Sequence, residues 1–344
     1  MLDLADVRTD ISDHYETLRF ADRPYGQYRM TRGDEQPSFY ASMDAVLART
    51  IMGEDLEETL TDEQRAAWIA HLQSFQKPDG TYRQSFTHHH QLHVHGMVIG
   101  ALGPLGGKLE HPSDIHYAPF DTPEKAVSYL ENQIDWRKQW TASHQFWGGL
   151  HIYSLSALCE PEWETTVFDW LIDNVDPETG WWRKGEQPAN NIEGLGGGAH
   201  IWPIFEHHER PFPAPEKVID RILEMQLPDG RFAPHEIGSY MHLDALYGLK
   251  YMRSLAPDYR RDEIDAAVEK FAKLLAESYR EFLDKQPVAH HVLSLAGAMG
   301  LVNQLRPDLF PDSEGKQWSD IFTSPDLYRV RAVESQTPTV PGTR

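Results

Sequence analysis

The chain has 344 residues, and 32 basic side chains against 53 acidic ones leave a net charge of −21. That balance excludes a nucleic-acid partner, because phosphate binding needs a basic surface. A 40% hydrophobic content with 10 tryptophans excludes global disorder, and a single cysteine, Cys159, excludes an internal disulfide and a cysteine-rich metal site.

The N-terminal stretch carries acids early and has no apolar signal region. No run of 18 apolar residues follows, so a cytoplasmic protein without a membrane span is expected. An amphipathic segment over 3–18 leads to Gly26-Gln27-Tyr28, the first of four Gly-x-aromatic turns. An apolar helix is expected over 39–52. Segment 61–76 is amphipathic and opens on Thr61-Asp62-Glu63-Gln64, a capping-box sequence. Pro78-Asp79-Gly80 ends it, since Asp-Gly permits positive φ, and Tyr82 can then fold back onto the helix end. The chain passes His88, His89, His90, His93 and His95 into a second apolar helix over 92–102.

The same alternation continues. Amphipathic segments at 122–133, 161–174, 215–226 and 261–283 alternate with apolar ones at 144–158, 192–205, 240–252 and 290–305. Gly180-Trp181-Trp182 and Gly230-Arg231-Phe232 complete the turn set, so the four turns are 54, 100 and 50 residues apart. A period near 50 predicts a degenerate copy at Ile134-Asp135-Trp136. Amphipathic helices belong outside, and helices apolar on all sides belong inside. Six of each make an all-α, single-domain (α/α)6 toroid over 1–332. The sixth outer place falls to 3–18 or to the segment around Trp318, and 333–344 is expected to be a disordered tail.

Gln76-Lys77-Pro78-Asp79-Gly80-Thr81-Tyr82 and Gln226-Leu227-Pro228-Asp229-Gly230-Arg231-Phe232, each leading to an apolar helix headed by Tyr or His, resemble the repeats of terpenoid cyclase and protein prenyltransferase toroids. Similar repeats occur in toroidal polysaccharide lyases. The resemblance implies the fold. It carries over no catalytic residue, because the chain lacks the cyclases' Asp-x-Asp-Asp motif and the prenyltransferases' Asp, Cys and His zinc set.

Aligning the inner helices gives a ring of entry positions: Tyr40, Leu92 or His93, His144, Glu193, Tyr240 and His290. Tyr40 with Asp44, and Tyr240 with Asp244, share a helix face at i and i+4. A ligand in the central cavity, a small molecule or an oligosaccharide, would meet these side chains. For β-elimination on a uronate-containing sugar, Asn191 and Arg183 would neutralise the carboxylate, His144 or His290 would be the base and Tyr240 the acid. For hydrolysis, Asp44 and Asp244 would be the carboxyl pair. Glu193, Trp147 and His242 complete the substrate-binding candidates. No cofactor is predicted, but a divalent metal at His89 and His93 would make the protein a metal-dependent enzyme. An isoprenoid enzyme and a non-catalytic binding toroid are the other readings. His111, His116, His207, His208 and His235 are read as loop or surface residues.

Overall fold

Helices begin where the sequence supplies an acceptor for their unpaired N–H groups. The computed structural model describes residues 2–83 and 89–334, and among these it is all-helical, with no strand. The helices are α1 (Leu4–Leu18), α2 (Phe39–Ile51), α3 (Leu56–Thr59), α4 (Asp62–Gln73), α5 (Gln91–Leu102), α6 (Asp114–Tyr117), α7 (Pro123–Asn132) and α8 (Gln139–Ser143). They continue with α9 (Trp147–Leu155), α10 (Pro161–Asp173), α11 (Asn191–His207), α12 (Pro215–Met225), α13 (Tyr240–Leu255), α14 (Arg261–Asp284), α15 (Ala289–Leu305) and α16 (Val330–Glu334). Side chains of Asp3, Ser38, Thr122, Asn190 and Ser239 cap α1, α2, α7, α11 and α13. At α4 the Thr61–Gln64 capping box forms in both directions.

Burial separates the helices into two sets. α2, α5 and α15 are buried along nearly their whole length, whereas α12 buries only the stripe Val218, Ile219 and Ile222. The buried helices pack on one another in order: α2 on α5, α5 on α9, α8 and α9 on α11, α11 on α13, α13 on α15, and α15 on α2. Outer helices lie against them, α4 on α2 and α5, α12 on α13 and α14 on α15. α1 packs against α14 and α15. No described helix is long and apolar enough to cross a membrane.

The four turns behave alike. Gly26, Gly80, Gly180 and Gly230 all have positive φ, between 76° and 101°. Tyr28, Tyr82 and Trp182 pair by isolated bridges with Arg19, Gln76 and Val175, so each aromatic does fold back onto the preceding helix. All three, with Phe232, are buried. Burying a ring of this size contributes roughly 2–3 kcal/mol. The glutamines of the motif hold the turns closed: Gln76 Nε2 donates to His111 O at 3.0 Å, and Gln226 Nε2 donates to Ala267 O at 2.8 Å. The copy near 135 keeps only its buried aromatic, Trp136.

Two expectations need correction. The third apolar helix does not begin at His144: α9 spans Trp147–Leu155, and His144 to Phe146 separate it from the short α8 (Gln139–Ser143). α9 lies so close to α5 that a Cβ on Gly148 would lie 1.6 Å from Leu92 O. The chain also stays ordered past 332. Val333 is buried in α16, and its carbonyl accepts the Leu109 N–H. Residues 335–344, the rest of the expected tail, lie outside the described residues, as does His88.

Candidate functional site

Two helix starts, one helix break and one helix interior deliver the histidines. His89 and His93 come from the entry and first turn of α5, His144 from the break between α8 and α9, and His290 from the start of α15. α11 adds His200. Glycines make room around them. A Cβ on Gly96 would lie 2.4 Å from the Trp147 ring, and one on Gly196 2.5 Å from Trp140. Both indoles therefore pack closely against a helix at a glycine, and both line the same cavity.

That cavity has about 110 Å³ open to the centre of a water molecule. By that measure it holds several waters or one small ligand. His89, His93, His144, His200 and His290 line it together with Tyr240, Asp244, Trp140 and Trp147. Its other end is apolar. Residues 319–328 lie across the C-terminal ends of α2, α5 and α15, where Ser319 N–H donates to Ile51 O and the Asp326 and Ser319 carbonyls approach Gly103 and Gly300. Ile321, Phe322, Leu327 and Tyr328 of this segment form the floor. Among the described residues no lysine or arginine lines the cavity.

The histidines touch one another. Ring centroids are 4.1 Å apart for His89 and His93, 4.7 Å for His89 and His144, and 4.8 Å for His93 and His144. His200 lies 5.3 Å from His144 and His290 lies 5.5 Å from His89. One potential ligand nitrogen from each of His89, His93 and His144 lies within 4.8 Å of the other two. Around zinc, nitrogens at roughly 2.0–2.1 Å from the metal stand about 3.4 Å from each other, inside the 4.8 Å limit within which these three nitrogens lie.

A second layer of hydroxyls and carboxylates holds the rings. The Tyr40 hydroxyl hydrogen-bonds Nδ1 of His89 at 2.8 Å and Nδ1 of His93 at 3.1 Å. With two lone pairs it can accept from both. His290 Nδ1 lies 3.0 Å from Asp44 Oδ1 and 3.2 Å from the Tyr240 hydroxyl. His200 Nδ1 donates to Gly196 O at 2.9 Å and lies 2.9 Å from Ser143 Oγ. Fixing one ring nitrogen in this way sets the tautomer and orientation of the other.

Burial disfavours the charged form of two of these imidazoles, His93 and His200. His93 is held well below the ordinary histidine range, first by burial and then by His89, His144, His200 and His290 around it. Burial lowers His200 to about 4. Neutral imidazole has a lone pair to give to a metal or a proton. Asp44 is pushed up by burial, and the neighbouring His290 works against that rise.

The sequence-predicted residues divide sharply. His89, His93, His144, Trp147, Tyr240, Asp244 and His290 line one cavity. Tyr40 and Asp44 are not among the lining residues, and Asp44 pairs with His290. The remaining four are elsewhere. Arg183 Nε donates to Asn174 Oδ1, and its guanidinium packs on Trp170, on the outer side of the fold. Asn191 accepts from Trp181 Nε1, and the cap of α11 is Asn190. Glu193 accepts the Trp140 N–H. His242 accepts the Phe232 N–H and packs on Phe271. Two histidines read as surface or loop residues are interior contacts: His116 is buried and stacks on His95 at 4.4 Å, and His207 lies 2.9 Å from His151 Nε2.

Sequence reasoning missed His200 and the 319–328 floor. His200 lies seven residues after Glu193, hence on nearly the same helix face, and that spacing was the available signal. No protein-family model, curated protein or solved structure matches this chain.

Proposed function

We propose that the helices form an (α/α)6 toroid and that its central cavity is a metal-dependent active site for a small, largely apolar substrate. The observation that carries this reading is the grouping of His89, His93 and His144, with ligand nitrogens within 4.8 Å of one another beside a cavity. Three imidazoles favour zinc, iron or copper over magnesium and calcium, which take oxygen ligands. A metal with three protein ligands keeps an open position and supplies Lewis acidity and an activated water.

The surrounding residues have separable roles. Tyr40 orients two of the three ligands. Asp44 orients His290, which with Tyr240 forms a proton-transfer pair at the cavity wall. Trp140, Trp147, Leu47, Met97 and Phe322 take the apolar body of the substrate. The floor formed by 319–328 and the small volume suit a compact molecule better than a threaded polymer.

Cleavage of an acidic carbohydrate by β-elimination is the second reading. It is favoured by the Tyr240 hydroxyl lying 3.2 Å from His290 Nδ1, an acid and a base on one wall. In that reading a metal ion, rather than Arg183 and Asn191, must neutralise the uronate. Metal-stripped and metal-loaded protein should be screened against small esters, small amides and uronate oligosaccharides. Turnover of a small substrate that needs added metal and is lost in His93→Ala supports the first reading. An unsaturated uronate product formed equally with and without chelator replaces it by the second.

A further inference from the structure

The histidine group leaves one buried acid of the cavity unused. Asp244 sits on α13 one turn beyond Tyr240, lines the cavity and is only 4% exposed. Among the described residues it makes no hydrogen bond and no ion pair. Among the described residues, the other titratable groups of the lining are five histidines, Tyr240 and Tyr328, and no cationic side chain joins them. Most of the remaining lining is hydrocarbon or aromatic.

Burying an ionised carboxylate without a partner costs several kcal/mol, so such a group keeps its proton instead. A protonated carboxyl has one O–H donor to offer. We infer that Asp244 is a ligand-anchoring residue, whose neutral carboxyl donates a hydrogen bond to an uncharged acceptor oxygen of a small, otherwise apolar ligand. A carbonyl, ether or hydroxyl oxygen meets that requirement, whereas an ammonium group does not. Burial also drives the Asp244 carboxyl well above the usual carboxylate range, in the same direction. The inference rests on the cavity being a ligand site and concerns the metal-free protein, because a dication held at the histidines of the same lining would favour the ionised carboxylate.

Calorimetric titration with three probes of one shape tests it: cyclohexanone, methylenecyclohexane and cyclohexylammonium. Each is titrated into the full chain with and without chelator. Cyclohexanone should bind about tenfold more tightly than methylenecyclohexane, the ratio expected for one buried hydrogen bond. Asp244→Asn keeps a donor and should stay within about threefold of that preference, whereas Asp244→Leu should abolish it. Infrared difference spectra between wild type and Asp244→Asn should show a protonated carboxyl band that persists above pH 7. Equal binding of the two uncharged probes, preference for the ammonium, or a carboxylate band at pH 7 overturns the inference. Failure of all three probes to bind overturns it together with the ligand-cavity reading, while a metal titration of the same sample still reports on the histidines.

Discussion

Replacing Tyr40 by Phe removes one oxygen from a residue that is 1% exposed and leaves the ring volume in place. That oxygen contacts two proposed ligands at once, at 2.8 Å and 3.1 Å from the Nδ1 atoms of His89 and His93. Each hydrogen bond contributes about 0.5–1.5 kcal/mol net, so losing both weakens ligand positioning by about 1–3 kcal/mol. At 1.4 kcal/mol per decade this is roughly 5- to 150-fold in metal affinity, which overlaps the 10- to 100-fold typical of outer-layer ligand partners. The assay is competition for zinc against a chelator of known affinity. Thermal unfolding of the metal-free protein serves as the control for an intact fold. A Tyr40→Phe protein that folds normally and binds zinc within twofold of wild type would refute the argument that this hydroxyl organises the site.

Other consequences are open to direct measurement. His242 is completely buried and pushed to about 4 by burial, whereas in the unfolded chain it titrates near 6.5. Between these values the unfolded state holds a proton that the folded state lacks. Stability is therefore complete above pH 6.5 and falls as pH drops toward 4, by about 3 kcal/mol for this residue. Urea unfolding at pH 7.5 and 4.5 should show a lower midpoint at 4.5, with a shallower loss in His242→Gln. Gly148→Ala drives a methyl group into the Leu92 carbonyl, a backbone atom that cannot rotate away. It should destabilise by about 3 kcal/mol or more, seen as a lower melting temperature. Gln226→Ala loses donors to Gly230 O and Ala267 O and should cost about 1–2 kcal/mol in the same assay.

The all-helical class and the turns were legible because their signals are local. A glycine with positive φ, an aromatic two residues on and a capping side chain each act within one helical turn, so Gly80, Tyr82 and Thr61 read directly from the chain. The α8–α9 break was not legible, because the close approach of Leu92 O to Gly148 that accompanies it joins segments more than fifty residues apart. The site was half legible. Alignment of helix starts found His93, Tyr240 and His290, which line one cavity from the first turns of α5, α13 and α15, and it found His144, which lines the same cavity from the break before α9. It failed for Asn191 and Glu193, because the first turn of α11 is occupied with capping and with holding Trp181 and Trp140. It failed for Arg183 because that residue belongs to a turn on the outer side, where Trp170 and Asn174 engage it. The floor at 319–328 carries no periodic pattern, so nothing local announced it.

The central claim is that His89, His93 and His144 hold a metal ion together. The most direct test is elemental analysis of the chain after equilibration with zinc, iron(II), copper(II), manganese and cobalt, beside the His89→Ala/His93→Ala/His144→Ala variant. The account predicts one tightly held transition-metal ion per wild-type chain, absent from the variant, with a cobalt spectrum of nitrogen ligation. A folded wild-type protein that retains none of these metals, or a variant that retains as much as wild type, would contradict it.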